Sequence, residues 1–300
     1  MKYALTLALL LAASPALSAE VSAVASFSIL GDLVQQVGGE RVAVTTIVGP
    51  NADSHVYEPK PSDAVAVAGA DIFFVNGLGF EGWMDRFVQA TGYAGALVTV
   101  SDGIAAQEMA EEDGHDHHAE GEHEATDPHA WQNLQNGVLY VENIAKGLCA
   151  VDADGCAGYT ANAAAYAAQL TALDADVKTR IAAIPEVRRK VITTHDAFGY
   201  FGAAYGVTFL APEGISTDAE PSAAAVARLV TQIRAEGVSA LFIENMSDGR
   251  LVQQIAQETG ITPGGELYAD ALSPADGPAA TYLDMFRHNV GLLIPAMEGQ

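Results

Sequence analysis

The sequence predicts an α/β protein of two lobes, each built on a mostly parallel sheet flanked by helices, with one long backbone helix joining them. Three observations carry this. β-branched runs alternate with helical stretches, first over residues 21–100 and again over 191–268. One apolar stripe at helical spacing separates the two series. The roughly 280 residues that follow an N-terminal export signal exceed what most single cores organise.

The elements follow in order. Lys2, an apolar run over 5–13 and small residues over 16–19 read as a cleavable secretory signal, 1–19. A membrane anchor is the weaker reading, because the run falls short of the about 20 residues that a span needs. No later segment is long and apolar enough to span, and no cysteine follows the cleavage region to take a lipid. A soluble exported protein, not embedded in the membrane, is therefore expected; a periplasmic monomer is the further expectation. The first lobe, 20–157, opens with β-branched runs at 21–26 and 42–48, separated by a helical stretch at 29–37 that Gly38 and Gly39 end. Runs at 72–75 and 97–100 continue the strand series, with a helix around 83–88 between them. The second lobe, 185–300, repeats the plan with strands at 191–194, 207–210, 241–244 and 266–268, spaced by helices near 223–236 and 251–259.

Between the lobes, Tyr159, Ala163, Tyr166, Leu170, Leu173, Val177, Ile181 and Ile184 recur at steps of three and four until Pro185 stops them. A linking helix over 158–184 would run about 40 Å at 1.5 Å per residue, enough to cross both lobes. A rigid connector of this kind permits less hinge opening than paired extended strands. A helix packed wholly inside one lobe is the alternative.

Fourteen basic residues against 38 acidic ones give a net charge of −24, which repels nucleic acid and anionic lipid and attracts cations. Ordinary solubility explains the charge equally well until the histidines are considered. Cys149 and Cys156 are the only cysteines, and in an exported chain they read as a local disulfide. Metal ligation by the pair is the rival reading, without a nearby histidine to support it.

Four residues far apart in the chain sit where one element hands over to the next: His55, His129, His195 and Asp270. His55 lies in the loop after the second strand, His195 directly follows a strand, and Asp270 comes two residues after Tyr268. Ligands of open α/β sheets bind beyond the carboxyl ends of strands, so these three occupy the binding rim. His129 stands just ahead of a helix that begins near Asn133. Two ligands from each lobe would place a metal in the cleft, and three imidazoles with one carboxylate form a closed tetrahedral zinc set. Any one of these histidines alone would more readily serve a hydrogen-bonded structural role. His288, in a C-terminal helix, is assigned to structure or surface.

Ser54-His55-Val56-Tyr57-Glu58-Pro59-Lys60-Pro61-Ser62-Asp63, Asp127-Pro128-His129-Ala130-Trp131 and Thr194-His195-Asp196-Ala197-Phe198-Gly199-Tyr200-Phe201 resemble three motifs of the periplasmic zinc- and manganese-binding proteins that feed ABC importers. The segment 214–222 and Tyr268-Ala269-Asp270 resemble two more, so the likeness covers nearly the whole mature chain. It is strongest to the zinc-specific branch that includes ZnuA- and AztC-type proteins. The resemblance implies two α/β lobes joined by a long helix, one buried metal and delivery to a membrane permease. Two departures stand out: Ser54 replaces the proline usual before the first histidine, and Asp270 supplies a fourth protein ligand where some zinc members leave water or a loop residue. Manganese members tend to carry Glu where this chain has His195, and imidazole suits zinc as carboxylate suits manganese.

Residues 108–124 hold four histidines, His115, His117, His118 and His123, and eight acidic side chains. With almost nothing apolar to offset ordering entropy, the loop 101–128 around them is expected to be disordered and to collect metal weakly at several sites. About 10 residues from these histidines to His129 reach about 17 Å, to the cleft mouth. A plain solvated acidic linker is the alternative. The expected function is high-affinity zinc capture for an ABC-transporter permease, with receipt from a periplasmic zinc chaperone as a further expectation and manganese or iron as the alternative cargo. A zinc hydrolase would need an open metal position and a base, for which Glu220 or Glu244 are the candidates. No Gly-x-Ser-x-Gly elbow or His-Glu-x-x-His pair supports enzymology, and a surface adhesin rests on family analogy alone.

Overall fold

The computed structural model describes residues 21–108, 126–218, 221–236, 238 and 240–299. The signal segment, the loop histidines His115, His117, His118 and His123, and Glu220 lie outside the described residues. In the first lobe the chain runs β1 (Val21–Phe27), α1 (Ser28–Gly38), β2 (Val42–Val48), α2 (Pro61–Ala68), β3 (Ile72–Val75), α3 (Met84–Thr91), β4 (Ala96–Thr99) and α4 (Leu134–Val151). After α5 (Cys156–Ala182), the second lobe runs β5 (Lys190–Ile192), α6 (Gly199–Tyr205), β6 (Thr208–Leu210), α7 (Ala223–Glu236), β7 (Ala240–Glu244), α8 (Arg250–Thr259), β8 (Pro263–Leu267) and α9 (Tyr282–Glu298).

Each lobe holds a four-stranded, wholly parallel sheet, and the two share one order: β2-β1-β3-β4 and β6-β5-β7-β8. The order reverses direction beside β1 in one sheet and beside β5 in the other, which opens a crevice at the strand ends where loops can meet a ligand. β1 and β3 are buried almost throughout, as strands covered on both faces require. β8 begins earlier than the expected 266–268. Gly264 and Gly265 hide it from an apolar pattern, and a Cβ on Gly264 would lie 2.7 Å from the Phe242 ring, so the close approach needs glycine there.

α5 carries the expected stripe, with Tyr159, Ala163, Tyr166, Leu170, Val177 and Ile181 buried. It packs against α1 and α4 of the first lobe and against α6 and α9 on the other side, so it serves both lobes. The stripe also buries Asp174, which accepts from Gln135 Nε2 (2.9 Å), Lys178 Nζ (2.8 Å) and Tyr205 OH (3.1 Å). A carboxylate there is tolerated because its oxygens are satisfied by groups from three helices. Cys149 and Cys156 form a disulfide across the α4–α5 turn. Arg41 grips Asp152 in that turn, and Asp152 also accepts from Tyr159 OH at 2.6 Å, which sets where α5 begins.

Candidate metal centre

His55, His129, His195 and Asp270 converge at the rim, with one ligand atom from each lying within 4.8 Å of all the others. His55 Nε2 is 3.2 Å and His195 Nε2 3.1 Å from Asp270 Oδ2, while His129 Nε2 is 3.4 Å from His55 Nε2 and 3.6 Å from Asp270 Oδ1. That Oδ1 is buried without a hydrogen-bond partner. His129, His195 and Asp270 are fully buried; His55 is half-buried as a residue, but its side chain is only 4% exposed, so the exposure lies mostly in its backbone.

Two of the ligands are set by the same local device. Asp53 and Asp127 each stand two residues before a histidine, and each accepts that histidine's backbone N–H on Oδ1 at 2.9 Å. These Asx turns are a local device that shapes the ligand loops. Asp127 also pairs with His129 Nδ1 at 2.8 Å, which leaves Nε2 to face the centre. His195 is held differently: Glu244, at the end of β7, accepts the backbone N–H of Thr194 (2.8 Å) and His195 (3.1 Å) on Oε1 and pairs with His195 Nδ1 through Oε2. Asp270 is aimed by its neighbour, since Ala269 O accepts from both Trp131 Nε1 (2.9 Å) and Gln132 Nε2 (2.8 Å) of the first lobe.

An aromatic wall closes one side. Phe80 meets His55 edge-on at 4.9 Å between centroids and Trp131 at 4.7 Å, and Trp131 meets His129 at 5.3 Å. Phe80 is delivered by a left-handed run, Gly77, Leu78 and Gly79, with φ of 83°, 55° and 81°. The buried Glu81 carboxylate holds that run by accepting Asn76 N–H (2.7 Å), Gly77 N–H (3.2 Å) and Ser26 Oγ–H (2.6 Å). On the open side a cavity of about 600 Å³ lined by His55, Phe80, Thr126, Pro128, Ile215 and Asp218 leads to the cluster.

Charge and burial oppose each other here. Burial resists protonation of His129, but the Asp270 charge and the Asp127 contact outweigh it and lift its pKa to about 9. Burial likewise resists protonation of His195, yet Glu244 and Asp270 raise it well above the ordinary histidine value. Burial favours neutral Asp270, and the two histidines nonetheless hold it well below the usual carboxylate range. The unloaded cluster is thus a concentrated store of positive and negative charge at short range, suited to exchange protons for a cation.

The four residues singled out in the sequence are the four brought together. His288 stands apart, with Nε2 against Glu266 O at 2.9 Å. Glu244, considered above as a hydrolase base, is instead engaged by His195 on both oxygens. The holders Asp53 and Asp127 are absent from the sequence-based set, although the repeated Asp-x-His spacing marks them. Nothing local in the sequence marks Ala269 or Glu81.

Fold and site define a two-lobe metal-binding protein with its centre at the facing sheet rims. The family model described as "Zinc-uptake complex component A periplasmic" (ZnuA) matches residues 23–296. The manganese-binding lipoprotein MntA of Halalkalibacterium halodurans is 36% identical over 274 residues, covering 91% of this chain and 87% of that protein. The iron ABC transporter substrate-binding lipoprotein MtsA of Streptococcus pyogenes is 32% identical, covering 91% and 87%. Among solved structures, the periplasmic zinc-binding protein TroA of Treponema pallidum superposes with a TM-score of 0.85 at 28% identity, covering 93% of this chain and 99% of that one. A manganese-bound periplasmic metal-binding protein from Candidatus Liberibacter asiaticus gives 0.81 at 30% identity, covering 92% and 99%. The chain belongs to the ZnuA family.

Proposed function

We propose that this protein captures zinc outside the cytoplasm and delivers it to the membrane permease of an ABC importer. The observation that carries the reading is the convergence of three imidazoles and one carboxylate, with one ligand atom from each within 4.8 Å of the others. Zinc bound by nitrogen and oxygen at about 2.0–2.1 Å in a tetrahedron has edges of about 3.3–3.4 Å. The shortest contacts in the cluster are of that size: 3.1 Å from His195 and 3.2 Å from His55 to Asp270 Oδ2, 3.4 Å between His55 and His129, and 3.6 Å from His129 to the other Asp270 oxygen. Three imidazoles favour zinc over manganese, and the orphaned Asp270 Oδ1 gains a partner when a cation enters. With His55, His129, His195 and Asp270 all coordinating, no position is left for the water that a hydrolase activates, and the Glu244 carboxylate is spent on His195.

Manganese or iron is the second reading, favoured by the printed cargo of MntA and MtsA. Metal-free protein equilibrated with equimolar zinc, manganese and ferrous iron should retain one zinc per chain, as read by elemental analysis. Anomalous scattering at the zinc edge should then place it between these four residues. Retention of manganese or iron in preference would overturn the cargo, and density elsewhere would overturn the ligand set.

The protein acts as a soluble periplasmic monomer in this reading. Both cysteines are joined to each other, and no described helix is long and apolar enough to cross a membrane. The histidines at 115, 117, 118 and 123 collect zinc weakly, or receive it from a periplasmic chaperone, and raise its local concentration near the cleft.

A further inference from the structure

The loop that carries His55 belongs to the first lobe, yet much of its polar anchoring comes from the second. Thr217 Oγ1 donates to Asp53 Oδ2 at 2.6 Å, and the other oxygen of the same carboxylate accepts the His55 backbone N–H. One side chain therefore joins a second-lobe hydroxyl to the backbone of a ligand. Toward the start of the loop, Asn51 N–H donates to Leu272 O at 3.0 Å, and Asn51 Oδ1 accepts from Asn245 Nδ2 at 2.9 Å. Asn245 Nδ2 also donates to Ala271 O at 3.2 Å, so the same amide touches the segment just after Asp270. Asn51 holds φ at 55°, a left-handed conformation that Asn tolerates and most other residues do not. Within its own lobe, the loop is held by Trp83 Nε1 donating to Ser54 O at 3.0 Å.

We infer that Thr217 is a positioning residue for the metal centre, acting through Asp53 as an interlobe clasp that keeps His55 in coordinating position and slows release of the ion. The inference rests on the proposed ligand role of His55. Thr217 lies in the segment whose residues Ile215, Ser216 and Asp218 line the mouth cavity together with His55 and Phe80, so the clasp spans the lobes beside the opening. His129 and His195 have carboxylates against their ring Nδ1, while His55 Nδ1 has no hydrogen-bond partner among the described residues. Its orientation therefore depends on its loop, and its loop depends on the second lobe. If the lobes part at this edge, the Thr217–Asp53 bond is lost and His55 is the ligand displaced.

The test is a double-mutant cycle read as the rate at which zinc passes from the loaded full-length protein to a chromogenic chelator in excess. Thr217→Val keeps the shape and removes the donor. A hydrogen bond to a carboxylate of this kind supports an increase in release rate of about tenfold. Thr217→Ser restores the hydroxyl and should recover the slow rate. In a His55→Ala background the same Thr217→Val change should alter release by less than about twofold, because the ligand through which it acts is gone. Equal acceleration in both backgrounds, or none in the presence of His55, overturns the clasp. Release unchanged by His55→Ala alone overturns the ligand assignment, and the clasp with it. Cobalt substitution supplies a second readout: loss of the clasp should weaken or shift the tetrahedral d–d bands in Thr217→Val but not in Thr217→Ser. An identical cobalt spectrum in all three proteins, together with unchanged release, also counts against it.

Discussion

His195 and His55 meet the same oxygen of Asp270, at 3.1 and 3.2 Å, but they arrive there by opposite means. His195 stands three residues beyond β5, is fully buried, and has its ring and backbone both bound by Glu244 from the neighbouring strand β7. His55 sits seven residues beyond β2 in a loop fixed by an Asx turn and by contacts across the cleft. One ligand is thus held within its own lobe by sheet geometry, and the other by a loop that is anchored across the cleft.

The largest effect expected is from His195→Ala, which should lower zinc affinity by more than about 100-fold in competition with a chelator, since even outer-shell partners of such ligands are worth about 10–100-fold. His55→Ala should cost less, on the order of tenfold. Equal losses would break the distinction between the two histidines. Glu244→Gln comes next. It removes the charge that orients and enriches His195 while keeping an oxygen acceptor, and about a 10–100-fold loss of affinity is expected, with the fold retained by circular dichroism. An unchanged affinity would mean that the sheet does not preorganise His195.

Acidity tests both halves together. Imidazole must be neutral to ligate, and His129 is lifted to about 9 with His195 raised as well, so the unloaded centre carries protons at neutral pH that zinc must displace. The sign follows: apparent affinity rises with pH toward about 9 and falls below it, by about tenfold per pH unit for each proton released. Titration calorimetry in buffers of different ionisation enthalpy should find at least about one proton released per zinc near pH 7.5. A flat affinity between about pH 6 and 8 would contradict the assignment of these histidines as ligands. Trp131, packed against His129 and bonded to Ala269 O, should report loading by a change in fluorescence.

The smallest effect is expected from removing residues 108–124. The four ligands and their holders all lie elsewhere, so affinity at the centre should change by less than about twofold, while the number of zinc ions bound in excess metal and the rate of capture at low zinc should both fall. Loss of tight binding would place a loop histidine in the centre itself.

Much of this protein follows from local sequence. Alternating β-branched runs and helical stretches specify two parallel-sheet lobes, because element type and crossover connection depend on periodicities of a few residues. The stripe from Tyr159 to Ile184 specifies the long helix for the same reason. The four ligands stand at junctions after strands or before a helix, where a rim residue announces itself by type and place. The Asp-x-His turns at 53–55 and 127–129 were equally local. Tertiary structure alone decided the rest. Glu244 is 49 residues from His195, Ala269 is 138 from Trp131, Thr217 is 164 from Asp53, and Asp270 is 215 from His55. Partnerships at such separations leave no periodic trace, since they form only when strands far apart in the chain pair within a sheet, as β5 and β7 do, or when the two lobes bring their strand ends face to face. The carboxylate of Glu244 could therefore be read from sequence as a base, and only the placement of β7 beside β5 made it the support of a ligand.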